Sequence, residues 1–104
     1  MSSAENGRAY VYILECADGS YYTGIAHTSV GKRVAERNLG IYAGYTKSRR
    51  PVTLRYCEEF ERTVDAIAFE RQVKGWSRAK KEALIRRDWG ALQALAQSRS
   101  AKRT

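Results

Sequence analysis

Two short segments rich in aromatic and β-branched residues, 10–14 and 21–25, lie on either side of an Asp18-Gly19 pair. An Asp-Gly pair between two such segments is a strong short-range signal for a β-hairpin. The first segment lacks strict alternation of apolar and polar residues, which is typical of a central strand covered on both faces. Residues 8–26 are therefore predicted to form a hairpin whose first strand is central in its sheet.

The rest of the chain combines one more strand with helices. Apolar spacing predicts a helix over residues 30–38, a strand over 52–60 and a later helix that ends or kinks at Gly75. Ser77 and Asp88 are the predicted N-caps of two further helices. The resulting order, β-β-α-β-α-α-α, predicts an α+β fold with a three-stranded, mainly antiparallel sheet flanked by helices.

A chain of 104 residues is expected to form one small domain, since soluble chains rarely divide below about 150 residues. We expect a flexible N-terminus over residues 1–8, a single domain over 9–97 and a flexible basic tail over 98–104. The sequence contains no run typical of an export signal or a membrane span, so a cytoplasmic location is expected. In a reducing compartment Cys16 and Cys57 are predicted to be free thiols in the core.

Positive charge is concentrated in two stretches of the chain. Lys and Arg number 19 against 11 Asp and Glu, and the net charge is +8. Residues 32–55 hold seven basic side chains against Glu36 alone, and residues 78–104 hold eight against two acidic ones. Such segregation is typical of a surface that follows phosphate groups. It predicts a nucleic-acid partner, and two solvated basic faces without a partner are the alternative.

Several motifs occur in a characteristic order. They are Tyr10-Val11-Tyr12 in the first strand, Tyr22-Thr23-Gly24 in the second, Lys32-Arg33 in the next helix, a basic loop ending in Arg49-Arg50-Pro51, Glu70 in a later helix, and Lys74-Gly75-Trp76-Ser77-Arg78-Ala79-Lys80-Lys81. In order and spacing this pattern resembles the GIY-YIG endonuclease superfamily. The resemblance is to its small stand-alone bacterial members and extends over residues 9–85.

This resemblance implies metal-dependent hydrolysis of a phosphodiester bond. By that resemblance Tyr12 and Tyr22 line the site and one of them helps to activate water, Arg33 holds the scissile phosphate, and Glu70 binds Mg²⁺ or another divalent cation such as Mn²⁺. The residue types suit the chemistry, because a guanidinium and a metal ion stabilise negative charge that develops on the phosphate. One carboxylate suffices for Mg²⁺, since this ion keeps most of its water ligands.

A second group of residues is expected to bind the nucleic-acid backbone: Lys32, Arg37, Tyr45, Lys47, Arg49, Arg50, Lys74 and Arg78. The interval from Tyr22 to Arg33 is one residue longer than is common in the superfamily, so Lys32 is an alternative for the phosphate-holding position. Arg37 occupies the place of a frequent histidine and cannot act as a base near neutral pH. A late asparagine of some members has no counterpart.

The length of the hairpin loop decides whether the two motif tyrosines share a face. With a two-residue loop, Tyr12 and Tyr22 would point to opposite faces of the sheet. A three-residue loop at 17–19, closed by a left-handed Gly19, puts Tyr12 opposite Gly24 and on the face of Tyr22. We predict this second register, because only then do both tyrosines belong to one site.

Three functions are compatible with these residues. The first is a magnesium-dependent endonuclease acting on DNA rather than RNA; it selects structure or strand, because no separate recognition helix is present. The others are a non-catalytic nucleic-acid-binding module on the same fold and a subunit that cuts only with a protein partner. Taken alone, Glu70 is placed for a surface ion pair with Lys74. The joint pattern, with Arg33 intact, favours the nuclease, and no membrane partner is expected.

Overall fold

The computed structural model describes residues 7–102. These fall into two compact units, the first ending at Lys74 and the second beginning at Gly75. Residues 1–6 of the predicted flexible N-terminus, and residues 103–104 of the predicted tail, lie outside the described range. The assignment of residues 9–97 to one domain stays a prediction.

The first unit contains a three-stranded antiparallel sheet. Its strands are β1 (Ala9–Glu15), β2 (Tyr21–Ala26) and β3 (Thr53–Phe60), in the spatial order β2-β1-β3. The central strand β1 is buried along most of its length, which suits its continuous apolar sequence. The predicted α+β architecture, element order and central strand are confirmed.

The hairpin loop between β1 and β2 has three residues. Gly19 adopts a φ of +84°, and its N–H donates to the Cys16 carbonyl at 2.9 Å while the Cys16 N–H donates to the Ser20 carbonyl at 2.8 Å. Tyr12 consequently pairs with Gly24 across the strands. The predicted register is confirmed, because glycine at the end of the loop reaches the left-handed region at little cost.

The Tyr12 ring lies over the bare backbone of Gly24. The Tyr12 side chain is fully buried, and a Cβ placed on Gly24 would approach its phenol oxygen to 2.5 Å. The same face of the sheet buries the apolar residues Leu14, Cys16, Ala26, Val30 and Val52 around this ring. Absence of a side chain at position 24 is therefore what allows the aromatic ring into the core.

Two helices of the first unit cover opposite faces of the sheet. Helix α1 (Val30–Asn38) begins at Ser29, whose Oγ accepts from the Lys32 amide, and packs on the Tyr12 face through Val30. Gly40, with a φ of +78°, follows the end of α1, where glycine reaches the left-handed region at little cost. Helix α2 (Thr63–Lys74) contributes Ala66 and Phe69 to the cluster around Val11 on the other face.

The loop between α1 and β3 contains a 3-10 helix (Lys47–Arg49) and is tied to both neighbouring elements. The Asn38 carboxamide donates to the Val52 carbonyl at 3.0 Å and accepts from the Val52 amide at 2.7 Å. Within the described residues Cys16 and Cys57 form no disulfide; Cys16 is buried and Cys57 is half-buried. Burial raises the pKa of the Cys16 thiol.

The second unit contains α3 (Arg78–Ile85) and α4 (Trp89–Lys102), which pack against each other. The predicted N-caps are confirmed: the Ser77 hydroxyl accepts from the Lys80 amide at 3.2 Å, and the Asp88 carboxylate accepts from the Ala91 amide at 3.0 Å. Helical backbone continues through residue 102, into the segment predicted as a tail. Within residues 7–102, no helix has the length and apolar character that crossing a membrane requires.

Substitution of Gly24 by Ala tests the packing of Tyr12. We expect Gly24→Ala to lower the free energy of unfolding by about 1–3 kcal/mol, because the added methyl group overfills a packed core. Chemical denaturation measures the change. Gly31→Ala in α1 is the control: the added methyl group meets only the Ser29 Oγ at 3.7 Å, so we expect about 0.5–1 kcal/mol of stabilisation. Equal effects of the two substitutions would contradict this account.

Candidate active site

Tyrosine and arginine side chains from the sheet, from α1 and from the following loop meet on the Tyr12 face. Tyr12 extends from β1 and Tyr22 from β2, and the confirmed register puts both on this face. Arg33 and Arg37 are four residues apart and therefore lie on one side of α1. Since Val30 and Val34 of α1 pack on the sheet, the two guanidinium groups are held at the margin of that interface.

Arg37 lies at the centre of the cluster. Its Nη2 donates to the Tyr22 phenol oxygen at 2.9 Å and its Nε to the Tyr12 phenol oxygen at 3.4 Å. Its Nη1 donates to the hydroxyl of Thr46, which is fully buried, at 3.1 Å. One guanidinium therefore joins both strands of the hairpin to the loop that follows α1.

Tyrosine rings lie beside the guanidinium groups of Arg37 and Arg49. The Arg37 Cζ lies 4.4 Å from the Tyr22 ring centroid and 5.0 Å from that of Tyr42. The Tyr45 ring stacks on Tyr22, with centroids 6.1 Å apart, and the Arg49 Cζ lies 3.8 Å from the Tyr45 centroid. These distances lie within the range of cation–π attraction. The rings of Tyr22, Tyr42 and Tyr45 thus contact the guanidinium groups of Arg37 and Arg49.

Arg33 makes longer contacts than Arg37. Its Nη1 is 3.5 Å from the Ile25 carbonyl, its Nε is 3.8 Å from the Glu36 Oε1, and its side chain is 28% exposed. Lys32, the alternative for this position, is exposed. The structure brings Arg33, rather than Lys32, to the side of the tyrosine cluster, with its Cζ 5.2 Å from the Tyr42 ring.

Tyr42 and Thr46 belong to this cluster although sequence reasoning assigned them no role. The Tyr42 hydroxyl donates to the Glu36 Oε1 at 2.7 Å, and this hydrogen bond is the main reason that the pKa of Tyr42 is raised. Both residues lie in a loop without apolar periodicity. Only the composition of this loop could have indicated a role for it, since tyrosines and basic residues occur together between residues 42 and 50.

Glu70 lies on α2, which packs against β1 and β2. Its side chain is only 13% exposed and contacts the Lys74 Nζ at 2.8 Å, so the ion pair expected from their spacing is present. That hydrogen bond is the largest cause of the raised pKa of Lys74, and Tyr22 and Tyr12 contribute further. Lys74 therefore lies within electrostatic reach of the two motif phenols.

A divalent cation at this position would have Glu70 as its protein ligand. Among the described residues, no three His, Cys, Asp or Glu side chains form a cluster that suits a metal ion. Mg²⁺ prefers oxygen ligands and keeps several waters, so a single partly buried carboxylate is compatible with it. Lys74, which now contacts that carboxylate, would have to move aside.

The remaining predicted nucleic-acid contacts lie in two places. Lys47 and Arg50 line a shallow cavity of about 520 Å³ together with Asn38, Ser48 and Pro51. The Arg50 Nε donates to the Lys47 carbonyl at 2.8 Å. Arg78 is in the second unit, where its Nε is 3.1 Å from the Glu82 Oε2.

The hairpin loop is anchored to the basic loop by a carboxylate. Asp18 Oδ2 pairs with the Arg49 Nε at 3.1 Å, and Asp18 Oδ1 accepts from the Ser20 hydroxyl at 2.6 Å and from the Ser20 amide at 3.0 Å. The Ala17 amide donates to the Arg49 carbonyl at 2.9 Å. These bonds hold Arg49 where its guanidinium covers the Tyr45 ring.

This anchor is expected to weaken in acid. Hydrogen bonds from the Ser20 hydroxyl and amide, in that order, hold the pKa of Asp18 below its ordinary value. The ionised Asp18 therefore stabilises the fold above about pH 5, and the contribution disappears as the pH falls through the lowered pKa. Titration by NMR should show the lowered pKa, and Ser20→Ala should move it back up. An unchanged Asp18 titration in Ser20→Ala would contradict the assigned cause.

Comparison with known proteins relates this arrangement to a family. Residues 8–83 match the family model described as the GIY-YIG catalytic domain. A UPF0213 protein of Halobacterium salinarum is 52% identical over 76 residues, which cover 73% of this chain and 97% of that protein. A UPF0213 protein of Staphylococcus saprophyticus is 47% identical over 76 residues, which cover 73% of this chain and 92% of that protein. The solution NMR structure of a protein from E. faecalis matches with a TM-score of 0.54 and 33% identity, over 80% of this chain and 88% of that one.

Proposed function

The chain belongs to the GIY-YIG family of nuclease domains, and we propose that it is a metal-dependent endonuclease that hydrolyses phosphodiester bonds in DNA. The observation that carries this proposal is the meeting of both motif tyrosines, Tyr12 and Tyr22, with Arg37 of α1 on one face of the sheet. We propose that the enzyme selects the structure or the strand of its substrate rather than its sequence, since residues 7–102 are accounted for by the sheet, its helices and their loops without a separate recognition helix.

Arg33 is proposed to hold the scissile phosphate. Its contacts to the Ile25 carbonyl at 3.5 Å and to the Glu36 carboxylate at 3.8 Å are long, so its strongest donor directions are available to a ligand. A guanidinium binds two phosphate oxygens at once and stabilises the charge that develops on them. Partial burial strengthens this interaction, because less solvent screens it.

The phenols and Glu70 are proposed to complete the catalytic group. Tyr12 and Tyr22 lie on the face that Arg33 borders; because Tyr12 is fully buried and Tyr22 is half-buried, the Tyr22 phenol is the one proposed to orient and activate the attacking water. Glu70 is proposed to hold a divalent ion, Mg²⁺ or Mn²⁺, through its carboxylate oxygens. When bound, such an ion supplies Lewis-acid stabilisation of the phosphate and an activated water molecule.

The basic residues outside this group are proposed to follow the DNA backbone. They are Lys32, Lys47, Arg49, Arg50, Lys74 and Arg78, and the neutral Tyr45 is proposed to contact the backbone beside them. Lys32 and Lys47 are exposed, and the Arg49 guanidinium covers an aromatic ring beside Tyr22. Cations at these positions gain binding free energy by releasing counterions from the nucleic acid.

Cleavage of end-labelled branched, flapped, single-stranded and duplex DNA, with and without Mg²⁺, tests the nuclease proposal. We expect Glu70→Gln to lower the metal-dependent rate by about 10³-fold, because several kcal/mol of transition-state stabilisation are lost. Glu59→Gln is the matched control: Glu59 is also ion-paired, with the Arg8 Nε at 2.7 Å, and lies on β3 opposite Tyr10 rather than opposite Tyr12. It should leave the rate unchanged.

Two results would redirect the proposal. If wild type cuts none of the substrates and Glu70→Gln binds DNA as tightly as wild type, the chain is a non-catalytic binding module. Cutting that persists in Glu70→Gln would remove Glu70 from the metal-binding role while leaving the nuclease in place.

Salt dependence of DNA binding tests the proposed contact surface. Lys47→Ala should reduce the slope of log K against log salt concentration by about 0.7–0.9, the value of one neutralised phosphate. Fluorescence anisotropy with a labelled oligonucleotide measures both slopes. Arg8→Ala removes the same charge from a side chain already paired with Glu59 and should leave the slope unchanged. A lost affinity without a change of slope in Lys47→Ala would contradict a phosphate contact.

A further inference from the structure

We propose that Arg37 is a positioning residue that holds the phenol oxygens of Tyr12 and Tyr22 in a fixed arrangement, and that it does not bind phosphate. The inference deepens the proposed nuclease and rests on it for its catalytic consequence. It changes the role expected from sequence, in which Arg37 was one of several backbone contacts. The geometric part stands on the hydrogen bonds of Arg37 alone.

The donors of Arg37 are directed into the protein. A guanidinium has five N–H donors and no acceptor, and Arg37 uses Nε, Nη1 and Nη2 on Tyr12, Thr46 and Tyr22 respectively. Its Cζ also lies 4.4 Å from the centroid of the Tyr22 ring. With three of its five donors, one on each nitrogen, engaged in the protein, Arg37 is less suited than Arg33 to bind a phosphate in the bidentate manner.

These bonds also fix where the phenol hydrogens go. Since Arg37 only donates, the oxygens of Tyr12 and Tyr22 must accept from it. Each phenol therefore directs its own O–H hydrogen to an acceptor other than Arg37. In the proposed reaction the acceptor for the half-buried Tyr22 is an oxygen of the phosphate or of the attacking water, so Arg37 orients that hydroxyl group before the substrate arrives. The fully buried Tyr12 holds Arg37 in place from the core.

Two of the three groups that Arg37 binds are fully buried. Thr46 is fully buried, and its carbonyl accepts from the Arg49 amide at 3.0 Å, which closes the 3-10 turn. The Tyr12 ring is fully buried against Gly24. Arg33, four residues earlier, has only the long contacts described above. The two arginines thus have different proposed roles: Arg37 positions the phenols, and Arg33 remains available to bind the phosphate.

The substitution Arg37→Lys distinguishes the effect of positive charge at this position from the effect of the guanidinium hydrogen bonds. Arg37→Lys keeps the positive charge, but one ammonium cannot span three acceptors as a planar guanidinium does. We expect kcat to fall by about 10²-fold, the usual effect of a misplaced catalytic group, while KM and the salt slope of DNA binding stay at the wild-type values. Arg37→Gln should lower kcat similarly and also leave the slope unchanged. A slope reduced by about 0.7–0.9 in Arg37→Gln would identify a phosphate contact and overturn the proposal.

A Raman measurement tests the geometry without any turnover. The tyrosine Fermi doublet reports whether a phenol oxygen accepts or donates a hydrogen bond. Because the chain has seven tyrosines, Tyr12→Phe and Tyr22→Phe identify the two relevant contributions by difference. Arg37→Lys should shift both toward weaker acceptors, and unchanged doublets would overturn the proposal. If Arg37→Lys does not fold, Thr46→Val removes one anchor of Arg37 and should shift the same doublets.

The two readouts separate this inference from the proposed function. Shifted doublets in a protein that cuts no substrate would support the positioning role and count against the nuclease. Metal-dependent cutting with unchanged doublets in Arg37→Lys would support the nuclease and overturn the positioning role. Partial recovery of kcat in Arg37→Ala on addition of free guanidinium ion would further support the role, since the ion can occupy the vacated position.

Discussion

The packing of the Tyr12 ring over the bare backbone of Gly24 is the constraint on which the site depends. It requires the three-residue hairpin loop, because a register shifted by one residue would turn Tyr12 to the other face. With the register set, Tyr12 and Tyr22 share a face, and α1 packs beside them through Val30. The phenol oxygens then lie where a guanidinium from α1 can reach both.

Polar side chains, rather than apolar burial, hold the loop after α1 in place. Asn38 pairs with the backbone of Val52 on the β3 side, and Asp18 pairs with Arg49 on the hairpin side. Thr46 joins the loop to Arg37. Each of these is a directional contact between segments distant in sequence, so the loop is shaped by the elements that surround it.

Much of this could be predicted from the amino-acid sequence. The Asp18-Gly19 pair predicted the hairpin, and the side chains of Ser77 and Asp88 predicted the starts of α3 and α4, because these features depend on neighbours within a few residues. The register was predicted from the requirement that Tyr12 and Tyr22 share one site. The family could also be identified, since its motifs occur in order along residues 9–85 and the matching domain model covers 8–83.

The features of the site that could not be predicted are the contacts between segments that are distant in sequence. Sequence alone placed two tyrosines on one face and two arginines on one side of a helix, but it could not say which arginine would meet which tyrosine. Tertiary structure decided that Arg37 binds both phenols and that Arg33 keeps only long contacts. It also brought in Tyr42 and Thr46 from a loop without periodicity. Periodicity determines which side of a helix or strand a residue occupies, whereas the angle and distance at which elements pack determine which side chains touch.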